Sequence, residues 1–196
     1  MSTDAQRRIA CCLDGVLRAD EDFARVRIVI DPGTGWPACP MATEVLDAGS
    51  WSLYLPEDDP EFVQLTVTPR EVDPQNHDAA DRWMAYYGRP KYARFAVLEV
   101  QTYKRLDEAY GGDEVRVVHP FRKGEGAILK ELAARTDDLR RACEAVTKLA
   151  HPEVRAVGVD PFGIDVRVGL GVMRLEFPAP AFDADQARER VGGVLA

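Results

Sequence analysis

Three histidines are the side chains of this sequence best suited to metal-ligand or acid–base chemistry: His77, His119 and His151. His119 precedes Pro120 at the junction of two predicted parts of the chain, where a ligand cleft could form, although a structural role is favoured. His77 stands at the start of a polar predicted helix and is interpreted as a solvated or capping residue. His151 lies at a predicted helix C-terminus, where a cation is favourable against the helix dipole.

Three further side chains could contact a ligand: Tyr110, beside two glycines, and the cations Arg82 and Arg94. With His119 they form the set of candidate cofactor-binding residues. A packed aromatic is the alternative interpretation of Tyr110. Phosphate-loop, Gly-x-Ser-x-Gly and His-Glu-x-x-His motifs are missing from the sequence, so no residue is assigned a catalytic role.

The cysteines at positions 11, 12, 39 and 143 lack the Cys-x-x-Cys spacing of zinc sites, and they do not form a disulfide framework. We therefore expect reduced, mostly buried thiols and no metal site. Cys39 has no His or Lys beside it in sequence, so a nucleophilic role is not assigned to it. The apolar stretch around it, residues 36–40, indicates a core or dimer plug, with a ligand platform as the alternative.

The charge is unevenly distributed along the 196 residues, whose formal net charge is −8. Residues 1–119 carry 13 Lys and Arg against 21 Asp and Glu, while residues 120–196 carry 12 of each. An acidic first part argues against binding to nucleic acid or to an anionic membrane, because both need a positive field at contact range. The start lacks the apolar segment of a signal peptide, so a cytoplasmic location is expected.

The hydrophobic periodicity predicts an α+β protein, in which an antiparallel split β-barrel precedes a small helix–three-strand–helix domain. We place the barrel domain at residues 1–119 and the small domain at residues 120–196. The predicted barrel elements are a helix within 5–19, strands at 25–30, 41–46, 51–55 and 62–68, a helix at 77–87, and strands at 94–100 and 115–118. The predicted small-domain elements are one or two helices up to residue 149, strands at 154–159, 164–168 and 172–177, and a helix capped by Asp183.

Four phrases in the second part resemble, in the same order, the C-terminal domain of bacterial haem-utilisation proteins. They are Gly124-Glu-Gly-Ala-Ile-Leu129, Gly158-Val-Asp-Pro-Phe-Gly163, Phe177-Pro178 and Asp183-Ala-Asp185. In that family the domain follows a flavin-type split barrel, and the strand order of the first part is similar to the barrel of pyridoxamine-phosphate-oxidase-like flavoproteins. The resemblance implies FMN or haem as cofactor and a homodimer with its ligand cleft at the subunit interface.

Two departures from the family bear on its cofactors. The loop in which flavin-binding members present basic and hydroxyl groups reads Pro56-Glu-Asp-Asp-Pro-Glu61 here, and its four carboxylates would repel a phosphate. The family's histidine-bearing helix segment corresponds to residues 131–136, which contain no imidazole to ligate haem iron. The usual binding motifs for both cofactors are therefore missing.

These observations favour a non-enzymatic protein that binds a small tetrapyrrole- or flavin-like ligand, or a partner protein, on an inherited scaffold. The alternative is an FMN- or haem-dependent oxidoreductase with relocated cofactor contacts such as Arg82, Arg94 or His119. A third possibility is an interaction module whose acidic first part meets a basic protein.

Overall fold

A computed structural model describes residues 3–56, 62–169 and 171–196 and confirms the predicted α+β class. The chain forms two compact units. The first comprises the described residues up to Met84 together with Gly88–Val118, and the second comprises Ala85–Tyr87 together with His119–Ala196. The assignment of separate domains to 1–119 and 120–196 stays a prediction.

The first unit is built on an antiparallel sheet with short helices. Its helices are α1 (Thr3–Cys11), α2 (Thr43–Leu46), α3 (Asp78–Tyr87, whose last three residues belong to the second unit) and α4 (Gly112–Val115). Its strands are β1 (Asp14–Ala19), β2 (Asp22–Arg27), β3 (Val29–Ile30), β4 (Pro37–Met41), β5 (Trp51–Leu55), β6 (Val63–Val72), β7 (Arg94–Arg105) and β8 (Glu108–Gly111).

The strand order is β2-β1-β5-β6-β7-β4-β3, and β8 also pairs with β7. The sheet curls into a half-barrel. As a result, one cavity is lined both by β1 and β2, at one end of the strand order, and by β4, near the other end. This architecture fits a split-barrel fold. Alternation along the strands makes the core, with Leu53 and Leu55 of β5 and Leu65 of β6 fully buried.

The backbone of this unit approaches some glycines so closely that no other residue fits, and Gly112 and Gly15 are two examples. A Cβ on Gly112 would overlap the carbonyl group of Val100, and a Cβ on Gly15 would overlap the carbonyl oxygen of Tyr54. The predicted apolar plug at residues 36–40 is largely strand β4, whose Ala38 and Cys39 are fully buried. Its core interpretation is therefore confirmed.

Three predicted elements of the first unit were wrong. Residues 14–19 form a strand and not the end of the first helix, because Gly15, Leu17 and Ala19 alternate inward. Residues 43–46 form a helical turn instead of a strand, with the N–H of Leu46 bonded to the carbonyl of Ala42. Residues 115–118 do not form a strand, because Val115 ends helix α4 and the last strand of the sheet, β8, precedes that helix.

The second unit agrees more closely with the sequence pattern. It contains α5 (Arg122–Ala133), α6 (Thr136–Thr147), β9 (Val154–Asp160), β10 (Gly163–Val168), β11 (Gly171–Glu176) and α7 (Ala184–Val194). The three strands form an antiparallel sheet in the order β11-β10-β9. Helix and sheet residues such as Ile128, Leu132 and Ile164 form one hydrophobic core. Across the described ranges, every helix is too short or too polar to cross a lipid bilayer.

Candidate functional site

The first unit encloses a cavity of about 550 Å³. Its lining residues come from β1 and β2, from the end of β4 and the adjoining α2, from α3, and from the segment between α3 and β7. These elements lie far apart in sequence and meet where the curled sheet opens. The cavity is therefore a product of the half-barrel and not of any single loop.

The inner wall of the cavity is apolar. In the register of β1 and β2, Gly15 faces Val26 and Leu17 faces Ala24, and directly paired residues share one face of a sheet. Met41, at the end of β4, adds a side chain that is 2% exposed. A surface of this kind favours the ring system or chain of an organic ligand over a hydrated ion.

Trp83 closes one side of the cavity from helix α3. Its ring is 7% exposed, and its Nε1 donates a hydrogen bond to the carbonyl of Arg27 at 3.2 Å. Trp83 and Met84 both belong to a set of apolar residues that recur at helical spacing in the sequence, and this pattern predicts that they face inward. Trp83 is buried as this pattern predicts, whereas Met84 is 41% exposed. His77 caps α3 as predicted, with Nδ1 accepting from the N–H of Ala79.

The mouth of the cavity is polar. Among the described lining residues, the charged ones are Arg25 and Arg27 of β2, Lys91 and Asp14. Lys91 Nζ lies 5.3 Å from the centroid of the Tyr92 ring, a cation–π geometry. All four charged residues are solvent-exposed, so the polar part of the cavity faces water and its apolar part faces the core.

The four predicted site residues lie in different places. Arg94 donates to both carboxylate oxygens of Glu71 at 2.7 Å, and this guanidinium lowers the pKa of Glu71. Tyr110, on β8, packs its ring 5.5 Å from that of Tyr103. Arg82 lies on helix α3. These three are not among the described residues that line the cavity.

His119, the fourth candidate, lies in the second unit in a buried pair with Glu125. Its Nε2 is 3.1 Å from Glu125 Oε2, and its ring packs edge-on against Phe121. Glu125 Oε1 in turn accepts the backbone N–H of Val159 at 2.9 Å, which joins α5 to β9. Nδ1 of His119 has no hydrogen-bond partner within the described ranges. This environment supports a structural role for His119.

The residues that carry the family resemblance form the polar scaffold of the second unit. Asp160 accepts the N–H groups of Phe162 at 2.8 Å and Gly163 at 3.2 Å, which forms the turn between β9 and β10. Asp183 caps α7 by accepting from the N–H of Gln186, as predicted. The N–H of Phe177 bonds to the carbonyl of Phe162 at 2.8 Å. Of the residues that carry the resemblance, Asp160 therefore stabilises a turn and Asp183 a helix cap.

A buried charge cluster in the same unit was missed by the sequence reasoning. Arg174 of β11 donates to Asp165 of β10 at 2.9 and 3.1 Å and also bonds to Asp160. The Tyr86 hydroxyl donates to Asp165 at 2.6 Å. Opposite charges at facing positions of two predicted neighbouring strands were the available signal, since Asp165 pairs directly with Arg174.

The cysteines offer little chemistry. Cys39 is fully buried, and desolvation raises its pKa to about 12, while burial raises the pKa of Cys143 to about 11. Both therefore remain thiols at neutral pH. In the part of the chain that the structure describes, His, Cys, Asp and Glu side chains do not group in threes that could hold a metal ion.

The acidic loop predicted to repel a flavin phosphate lies mostly outside the described residues. Residues 57–61 carry its four carboxylates, and only Pro56, which lines the cavity, is described. The argument against a phosphate at this loop stays a prediction.

Comparison with solved structures identifies a similar fold over the whole chain. A protein of unknown function from Agrobacterium tumefaciens str. C58 superposes with a TM-score of 0.73 at 15% identity, covering 100% of this chain and 95% of that chain. A haem-binding protein from Mycobacterium smegmatis matches with a TM-score of 0.40 at 21% identity, covering 97% and 94%. No protein-family model and no curated protein sequence matches.

Proposed function

We propose that this protein binds a small, largely apolar ligand of tetrapyrrole or flavin size in the half-barrel cavity of its first unit. The cavity is the observation that carries the proposal. Its volume of about 550 Å³ lies within the roughly 300–1,000 Å³ of ligand pockets in proteins, and it has their apolar inner wall. On the sequence resemblance, the chain would be a divergent member of the split-barrel haem-utilisation type.

Binding without conventional flavin catalysis is supported by the chemistry of the lining. The described lining residues include no His, Cys or Ser, and their one carboxylate, Asp14, faces Arg27 across the strand pair. General acid–base or nucleophilic catalysis needs such groups beside the reacting atoms. The lining supplies instead a surface that buries and orients a ring system.

The cavity lining suits haem and FMN, the two cofactors that the family resemblance implies, to different degrees. For haem, the apolar wall suits the macrocycle, and Tyr92 and Met41 are the described lining residues of a type that can ligate iron. For FMN, the same wall suits the ring system, whereas the four carboxylates of residues 57–61, next to the lining residue Pro56, are predicted to repel its phosphate. Haem or flavin, when bound, would supply redox chemistry, whereas the chain's own residues enclose the ring and exclude water from it.

Titration of the purified protein with FMN and with haemin tests the proposal. Tryptophan fluorescence and visible absorption should show saturable one-to-one binding of at least one of them. Ala24→Phe places a phenyl ring in the cavity and should weaken binding strongly, whereas Ala109→Phe, on the exposed face of β8, should not. Failure of both titrations, or unchanged binding to Ala24→Phe, would overturn it. Bleaching of bound flavin by a reduced nicotinamide nucleotide would instead favour the oxidoreductase alternative.

The homodimer, a basic protein partner and the cytoplasmic location remain predictions from sequence. Light scattering at several protein concentrations tests the dimer. A mass near twice the 21.8 kDa of one chain is expected.

A further inference from the structure

We infer that residues 42–48 form a movable strap that opens to admit the ligand of the half-barrel cavity, and that Trp51 holds this strap closed. The inference rests on the proposed function, since it concerns access to the same cavity. It adds the route by which a ligand enters and the residue that controls the rates of entry and release. The observations behind it are the closed inner wall of the cavity and the few contacts of the strap.

The inner wall of the cavity is closed to solvent. Leu17 and Met41 line the cavity, yet they are only 1% and 2% exposed, and Trp83 is 7% exposed. Water barely reaches these side chains. An aromatic ring system is much larger than water, so it can pack against them only after part of the wall has moved. Access to the apolar wall therefore requires an opening movement of the kind that lids and loops provide.

The strap is anchored at its two ends and loosely held between them. Before it, Met41 pairs with Arg94 in the sheet. After it, the Asp20 carboxylate accepts the N–H groups of Gly49 at 3.0 Å and of Ser50 at 2.9 Å. Between these anchors, the side chains of helix α2 are all half-buried or exposed. Segments that bury little apolar surface open locally at a low cost in free energy.

The strap contributes to the cavity wall and is held by contacts with the sheet. Its Ala42 and Val45 belong to the cavity lining. From strand β5, Trp51 Nε1 donates a hydrogen bond to the carbonyl of Val45 at 2.8 Å. Arg94 Nη1 lies 3.6 Å from Asp47 Oδ1 in a solvent-exposed ion pair, which is the weaker kind of contact. Trp51 is not among the described lining residues, so it is a positioning residue that acts through the strap.

A contact that holds the strap closed should control rates and not affinity. The hydrogen bond from Trp51 forms in the closed strap of both the free and the ligand-bound protein, so its loss raises the open fraction of each by the same factor. Because the ligand enters and leaves through the open form, the association and dissociation rate constants rise together. Their ratio, which is Kd, then stays the same. A substitution that merely damages the cavity would raise Kd instead.

Stopped-flow measurements with the neutral fluorescent probe N-phenyl-1-naphthylamine test the inference. Trp51→Phe removes the hydrogen bond and keeps an aromatic ring, so both rate constants should rise about fivefold, with Kd unchanged within about twofold. Asp47→Asn removes the exposed ion pair and should raise both rate constants about twofold. Trp36→Phe is the control, because Trp36 is a buried indole of the same unit outside the strap and outside the described cavity lining. It should leave both rate constants unchanged.

The outcomes distinguish this inference from the proposed function. Unchanged rate constants in Trp51→Phe, or a rise in only one of them, would overturn the inference and leave the proposed function intact. If Trp51→Phe does not fold, Asp47→Asn decides by the same criterion. A native protein that does not bind the probe would overturn the proposed function and the inference with it.

Discussion

The indole nitrogen of Trp83 donates a hydrogen bond to the backbone carbonyl of Arg27 at 3.2 Å. Strand β2, which contains Arg27, lies at one end of the strand order, so this bond attaches helix α3 to an edge of the sheet. Both residues also line the cavity. One contact therefore positions the Trp83 ring in the cavity wall and holds it to strand β2, which lines the same cavity.

Replacement of Trp83 should impair stability and binding together. Trp83→Phe removes the hydrogen bond and part of the buried ring, so the free energy of unfolding should fall by about 1–2 kcal/mol in urea denaturation. The affinity for N-phenyl-1-naphthylamine should fall about fivefold because the probe loses contact area. Trp36→Phe is the control, since Trp36 is buried in the same unit but is not a described lining residue. Equal loss of affinity in both variants would contradict the role assigned to Trp83.

The cluster around Arg174 should be essential to the second unit. Arg174→Met leaves Asp165 and Asp160 buried without their cation, which should cost about 3–5 kcal/mol of unfolding free energy. Arg188→Met is the matched control, because Arg188 pairs with Glu131 and Asp185 at the surface and should cost at most about 1 kcal/mol. Equal costs, measured by chemical denaturation, would show that the buried cluster does not stabilise the fold.

The reactivity of the cysteines follows from their burial. The raised pKa values of Cys39 and Cys143 keep both protonated at pH 8, and the thiolate is the form that reacts with iodoacetamide. Mass spectrometry after brief alkylation should find the half-buried Cys11 and Cys12 modified, with Cys39 and Cys143 modified only in denaturant. Alkylation of Cys39 in the native protein would refute the buried position of β4.

Replacement of Gly112 and of Gly126 by alanine should change the stability of the protein in opposite directions. Gly112→Ala forces a methyl group into the carbonyl of Val100 and should destabilise the first unit by about 1–3 kcal/mol. Gly126 is exposed inside α5, with open space around a Cβ, so Gly126→Ala should stabilise by about 0.5–1 kcal/mol. Thermal unfolding of the two variants checks the pair. A stable Gly112→Ala protein would contradict the close approach of α4 to β7.

The second unit was more predictable from sequence than the first. Its turn and cap residues, such as Asp160 and Asp183, act locally. In the first unit, residues 14–19 place apolar side chains at spacings that suit a helix as well as a strand. These residues form a strand because they pair with β2 and β5, and the residues of β2 and β5 lie elsewhere in the chain.

The cavity could not be predicted for the same reason. Leu17, Met41 and Trp83 each resemble ordinary core residues in their local sequence, and only the curl of the sheet brings them together. The chemically conspicuous residues lie outside the cavity lining: Arg94 is paired with Glu71, and His119 with Glu125.

Methyl NMR of methionine-labelled protein tests the central claim, that the half-barrel cavity is the ligand site. Met41 lines the cavity, whereas Met84 is an exposed residue of α3 and Met173 lies on β11 of the second unit. Saturation with N-phenyl-1-naphthylamine should give the largest shift at Met41, because ring currents act over short distances, and leave Met173 unmoved. An unmoved Met41 at saturation, or a largest shift at Met173, would contradict the account.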